Sequence, residues 1–154
     1  MKICFFIGHR DAPSAIMPQL EEAVQRHITE YGVEQFVVGQ YGAFDRMAAR
    51  AVIRAKQRYP HVLLSVLLPY HPSECSIHVP EGYDDTFYPP GMEMVPKRYA
   101  IVRANQYMIK NSAYLIAYAW KAASNAREFV EFAERNKHIV ITKLSRPDRG
   151  AGKF

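Results

Sequence analysis

Two glycines three residues apart, in Val38-Gly39-Gln40-Tyr41-Gly42-Ala43-Phe44-Asp45, mark the stretch best equipped for chemistry. The apolar run Phe36-Val37-Val38 leads into it, and an Ala- and Arg-rich helical pattern follows at once. A strand ending in a glycine turn that opens a helix is an anion site. Glycine lets a ligand approach the backbone, and the first helical N–H groups have no partners of their own. The spacing falls short of a dinucleotide fingerprint, so the chemistry expected is phosphate binding through Gly39, Gln40, Tyr41, Gly42 and Ala43. Asp45 falls in the first helical turn, where the dipole favours a carboxylate. Its functional reading is a ribose hydroxyl contact, turned aside from a phosphate that it would repel. Arg10, in Gly8-His9-Arg10 after the first apolar run, brings a guanidinium fork suited to phosphate. Its plainer alternative is a surface ion pair with Asp11 or Asp45.

A further cluster, His71-x-x-Glu74-Cys75-x-x-His78, has the side-chain types of a borderline metal site. It lies in an irregular Pro-containing loop and matches no zinc motif, so no metal or cofactor is expected. The nearby aromatics Tyr83, Phe87 and Tyr88 are suited to stack on a base or to pack their own loop.

The elements that must position these residues alternate. Continuously apolar Ile3–Ile7 reads as a strand buried on both faces. Further strands are expected at about 35–39, 62–68, 113–119 and 139–142. Helices are expected from Ser14 (as N-cap) to Gly32, over 43–58, over 96–110, and from Asn125 onward. The apolar stripes are Ile16, Leu20, Val24, Ile28 and Tyr31 in the first helix, and Ala48, Ala51, Val52 and Ala55 in the second. Tyr99, Val102, Gln106 and Ile109 mark the third. Arg46, Arg50, Arg54 and Arg58 form a solvated stripe. This alternation predicts an α/β, Rossmann-like, doubly wound and mainly parallel five-stranded sheet with helices on both faces. Residues 69–95 break the rhythm and form a long insertion after the third strand. Ligands of such sheets sit at the carboxyl ends of the strands, at the switch point. That gathers Gly8-His9-Arg10, Gly39 to Gly42, and Trp120 to Asn125 (including Ser124) around one crevice.

Length and composition fit one domain over 1–142, followed by a basic tail over 143–154. The tail carries Lys143, Arg146, Arg149 and Lys153 against Asp148, so most of the net charge of +5 resides there. Nucleic acid therefore ranks last among partners, because the body lacks a strong basic excess. No apolar run reaches membrane-spanning length, and two cysteines give no disulfide framework, so a cytoplasmic protein without a membrane partner is expected. Self-association suits the fold, but the sequence counts no subunits.

Phe6-Ile7-Gly8-His9-Arg10 resembles the turn after the first strand in the SLOG superfamily. That group joins the Lonely Guy phosphoribohydrolases, the DNA-processing protein A domain and small YpsA- and YspA-like proteins. Gly39-Gln40-Tyr41-Gly42-Ala43-Phe44-Asp45-Arg46-Met47-Ala48 is similar to the group's glycine-rich segment. Arg103-Ala104-Asn105-Gln106-Tyr107-Met108 followed by Ala113 to Tyr118 is similar to its Arg-Asn helix and fourth strand. The likeness spans roughly Lys2 to Thr142. It implies a Rossmann-like fold that binds nucleotides, with phosphate at the Gly39–Asp45 turn. It also implies a catalytic pair, Arg103 holding substrate and Glu128 acting on an N-glycosidic bond. The sequence departs from the pattern in two places. A doubled glycine is here Gly39-Gln40, and the segment Trp120 to Glu128 retains the group's glutamate but none of its glycines. Glu128 has a structural alternative as the third residue of a capping box opened by Asn125.

The function expected is binding of a nucleotide or nucleotide derivative, as a sensor or ligand-dependent module. Phosphate would rest on N–H groups of Gly39 to Ala43 beside Arg10, and the insertion would cover the base. The enzyme alternative is a nucleoside 5′-monophosphate phosphoribohydrolase, and the third is a nucleic-acid-binding module.

Overall fold

The computed structural model describes residues 1–71, 73 and 79–147. Its strands are β1 (Ile3–Gly8), β2 (Gln35–Val38), β3 (Leu63–Leu67), β4 (Asp85–Phe87), β5 (Tyr114–Tyr118) and β6 (Val140–Lys143). Its helices are α1 (Met17–Thr29), α2 (Ala43–Arg58), α3 (Ala100–Asn111) and α4 (Asn125–Glu134). The strands form one sheet in the order β4-β3-β2-β1-β5-β6, and every pairing is parallel.

The apolar runs explain the layers. Side chains alternate across a strand, so Cys4 and Phe6 pack on one face with α1 and α2 while Phe5 and Ile7 pack on the other with α3 and α4. Phe36 and Val38 of β2 join the first layer and Val37 the second. Strands covered on both faces need no polar side, which is why the runs are continuous. The stripe Ile16, Leu20, Val24 and Ile28 is buried under α1, and Ala48, Ala51 and Val52 under α2. The four arginines of α2 are exposed, and Arg54 pairs with Glu21 of α1.

Four expectations need correction. The sheet has six strands, because Asp85–Phe87 within the long insertion adds to the edge beside β3. Only Phe87 of its three residues is apolar, so it carries no hydrophobic signal. Backbone bonds from Leu68 N–H to the Phe87 carbonyl (2.8 Å) and from Asp84 N–H to the Leu64 carbonyl (2.8 Å) hold it, with Lys56 on Asp84. On α3 the buried face is Ala100, Ala104, Met108 and Ile109, whereas Tyr99 and Val102 are exposed. Two alanines permit close helix–sheet approach there, so of the expected stripe Ile109 is buried while Tyr99 and Val102 are not. A 3-10 turn over Ser14–Ile16 precedes α1, and Ser14 makes no side-chain cap.

The fourth correction concerns the tail, whose first residues belong to the body. Lys143 ends β6, and Leu144 N–H bonds to the Ala117 carbonyl at 2.8 Å. The Gln19 amide bonds both the carbonyl and the N–H of Ser145 at 2.9 Å, taking the place of a further strand. Arg146 then lies over the Trp120 ring, 3.7 Å from its centre. Residues 148–154 lie outside the described residues.

No described helix is long and apolar enough to cross a membrane. Of the cluster weighed as a metal site, Glu74, Cys75 and His78 lie outside the described residues. His71 bonds to Ser73, and no metal-competent group of three occurs among the described residues.

Candidate functional site

The strand order reverses between β1 and β5, and a crevice of about 300 Å³ opens at that switch point. Turns after β1, β2 and β5 supply its rim through Gly8 to Asp11, Gly39, Tyr41 and Asp45, and Lys121, Ser124, Asn125 and Ala126. The convergence expected of three separate segments is present, with Gln40, Gly42, Ala43, Trp120, Ala122 and Ala123 outside the wall. Residues not singled out in the sequence complete it: Leu67 and Pro69 after β3, Ile101, Ala104 and Asn105 on α3, and Phe129 on α4. Ala104 and Asn105 belong to the Arg103–Met108 motif. The others are apolar or small and carried no chemical signal.

The glycines serve close packing of the protein against itself. A Cβ on Gly8 would lie 2.2 Å from the Phe44 ring, and one on Gly39 would lie 2.8 Å from Asp45 Oδ2. Gly42 has φ +122°, a conformation that L side chains rarely adopt, and a Cβ there would lie 2.7 Å from Arg10 Cα. The backbone donors are committed as well. Tyr41 N–H donates to Asp45 Oδ2 at 3.0 Å, and Ala43 N–H donates to the Arg10 carbonyl at 2.8 Å. Two of the N–H groups expected to hold phosphate therefore have internal acceptors.

Burial pushes the Asp45 carboxyl up to about 6, against the opposing pull of the Tyr41 N–H and the charges of Arg10 and Arg46. Asp45 thus takes up its proton as pH falls through about 6, well above the usual carboxylate range.

The opposite turn is arranged differently. His9 is buried, and its Nε2 accepts the Lys121 N–H at 3.2 Å. That bond assigns its own proton to Nδ1. Burial first, then the Lys121 charge, lowers the His9 pKa, which keeps the ring neutral and fit for this role. Edge contacts with Tyr118 and Trp120 fix the ring plane. His9 is therefore a latch that ties the β1 turn to the β5–α4 turn.

Beyond the latch, Ser124 caps α4. Its hydroxyl donates to the Lys121 carbonyl at 2.9 Å and accepts from Arg127 N–H at 3.1 Å. Glu128 N–H closes on the Ser124 carbonyl at 3.0 Å. The capping box expected from Asn125 is thus displaced by one residue, and Arg127 holds the third helical position. Ser and Asn are equally good caps, so the sequence could not choose between them. The N–H groups of Asn125 and Ala126 receive no acceptor among the described residues, and both residues line the crevice. Ala123, just before the cap, has φ 61° without being glycine.

Two cations reach this space. Lys121 lines it while bonding Asp11 at 2.8 Å, and that contact lowers the Asp11 pKa. Arg10 is exposed, lines the crevice and has no ion pair among the described residues. Arg103 and Glu128 are both exposed and stand outside the crevice wall, where Ala104 and Asn105 are the α3 residues present.

No protein-family model matches this chain, and no curated protein matches it significantly.

Proposed function

We propose that this chain binds a nucleotide or nucleotide-derived phosphate ligand in the switch-point crevice and acts as a ligand-dependent module. The observation that carries this reading is the crevice itself. Arg10, Lys121 and two unaccepted N–H groups at the start of α4 open onto one space among apolar side chains. Cations and helix N-terminal donors together suit a phosphate. Ile7, Leu67, Ile101 and Phe129 supply apolar lining for a flat base or sugar. A volume of about 300 Å³ is at the small end of ligand sites, which favours a mononucleotide over a dinucleotide. In this reading the phosphate rests at α4 rather than at the Gly39 turn, where the Tyr41 and Ala43 N–H groups are engaged within the chain. The hydrolase alternative is not adopted, since Arg103 and Glu128 do not line the crevice.

Thermal unfolding against AMP, GMP, CMP, UMP, ADP-ribose, NAD and cyclic nucleotides tests the proposal. A ligand at about a hundredfold its Kd stabilises the fold by roughly 2.7 kcal/mol, a rise of a few degrees in Tm. One or more mononucleotides should give that shift, and Arg10→Ala or Lys121→Ala should erase it. Absence of any shift across the panel would overturn the proposal.

A further inference from the structure

The β2–α2 turn is filled from within, yet the group that fills it is only half engaged. Asp45 Oδ2 accepts the Tyr41 N–H at 3.0 Å, and Gly39 makes room for that oxygen by lacking a Cβ. Oδ1 receives no hydrogen bond from the described residues, and Asp45 lines the crevice. The charged and titratable groups facing it are Arg10 from the β1 turn, Arg46 from its own helix and Tyr83 from the insertion.

Strand order sets the span. β2 and β5 flank β1, so the turns that follow them stand two strand spacings apart, about 10 Å. A single phosphate does not bridge that distance, whereas a nucleoside phosphate has the length. Its orientation follows from charge. An anion at the β2 end would meet a carboxylate already holding the local N–H, while a hydroxyl or amino group would meet a vacant lone pair. An anion at the β5 end would meet Lys121 and the first turn of α4.

Resting on the nucleotide reading above, we infer that Asp45 recognises a hydrogen-bond donor of the ligand, a ribose hydroxyl or a base amino group, while the phosphate lies at the α4 end. Asp45 thereby sets ligand polarity and distinguishes a nucleotide from a bare phosphate. It is a specificity residue of the crevice, and its protonation tunes the contact. The ionised carboxylate accepts a donor strongly, and the protonated form accepts it weakly.

Calorimetric titration of the full chain with AMP, 2′-deoxy-AMP, UMP and inorganic phosphate tests this. At about pH 7.5, Asp45→Asn should weaken AMP by about tenfold and leave inorganic phosphate within about twofold, because only the charged acceptor is lost. Towards pH 5 the two proteins should converge for AMP, as Asp45 becomes protonated in the wild type. The phosphate ester of AMP titrates near pH 6, but both proteins see the same ligand, so their difference isolates Asp45. A 2′-hydroxyl contact makes 2′-deoxy-AMP insensitive to the substitution, an amino contact makes UMP insensitive, and a 3′-hydroxyl contact leaves both sensitive. Asparagine keeps an acceptor for the Tyr41 N–H, so the variant loses the charge and not the internal bond of the turn. Equal or tighter AMP binding by Asp45→Asn, or parallel loss of AMP and phosphate, would overturn the inference while leaving nucleotide binding intact. Failure of the wild type to bind any of the four probes, with no thermal shift across the wider nucleotide panel, would remove both.

Discussion

The turn after β2 and the turn after β5 are two versions of one device, a strand feeding a helix at the switch point, and they have divergent interiors. The first has Gly39 and Gly42, and their space is taken by Asp45 and by the Arg10 backbone and side chain. The second has none, holds Ala123 in a left-handed conformation, and keeps the first N–H groups of α4 unaccepted. Glycine content thus records how closely the chain approaches something, and at this site the something is the chain itself. Ligand capacity follows instead from which donors lack acceptors.

The strongest way to break this contrast is Gly42→Ala. The added Cβ would meet backbone at 2.7 Å in a conformation closed to L residues, so neither rotamer change nor a flexible neighbour relieves it. Strain and overpacking together should lower stability by about 3 kcal/mol or more in urea unfolding. A loss below about 1 kcal/mol would mean that the β2–α2 turn opens easily, and its role as a filled, rigid turn would fall.

Asp45→Asn should act in the opposite direction on stability. The folded carboxyl is raised from 3.8 to about 6, so the folded state binds more protons between those values than the unfolded chain does. Its contribution is most favourable below about 3.8 and is lost as pH rises through about 6. Removing the charge should therefore stabilise the protein near neutrality by up to about 3 kcal/mol, with the gain vanishing towards pH 4. His27 runs the other way. Its ring is fully buried, its Nε2 has no partner among the described residues, and burial lowers its pKa. Stability from His27 is present above its unfolded value and declines as pH falls below about 6.5. Urea midpoints of both proteins at several pH values separate the two, since only the difference between them belongs to Asp45. A stabilised variant that binds nucleotide less well would make Asp45 a functional residue held at the expense of stability.

The layers of the fold were legible because buried parallel strands and amphipathic helices write long, redundant patterns. Ile3–Ile7 and the α1 stripe each contain several agreeing residues. β4 was illegible for the converse reason: its three residues are placed by backbone bonds to β3 and by Lys56 on Asp84. The face of α3 is legible only at Ile109, because Ala100 and Ala104 do the packing that larger side chains advertise elsewhere. At the site, sequence order brought the three turns together through topology alone. It did not reveal that Asp45 folds back onto Tyr41 N–H or that Ser124 caps α4, since both depend on side-chain choices within a single turn.

Asn125→Pro sharpens the contrast from the α4 side. Proline is accommodated at the first helical position, and Ser124 before it already has the extended conformation that proline requires, φ −95° and ψ 161°. The substitution deletes one N–H at the crevice and no internal hydrogen bond. Nucleoside monophosphate affinity should fall by about tenfold, near 1.4 kcal/mol, while stability stays within about 0.5 kcal/mol. Unchanged affinity with intact stability would move the phosphate away from α4.

The smallest effect belongs to Ala123→Gly. An L residue in the left-handed region costs roughly 1–2 kcal/mol, and glycine adopts it freely but adds about 0.4–1 kcal/mol of unfolded-chain entropy. Ala123 is exposed, so its methyl group contributes no burial that the substitution would forfeit. The balance is a net gain of a few tenths to about 1 kcal/mol, visible as a rise of a few degrees at most in Tm. Mononucleotide affinity is the more telling readout. The Ser124 cap, the His9 latch on Lys121 N–H and the first turn of α4 already fix the donors without help from Ala123. Affinity within about twofold of wild type would show that those bonds alone set the geometry. A larger loss would mean that the strained alanine holds the loop in its binding shape, and relief of strain would then have loosened the site it serves.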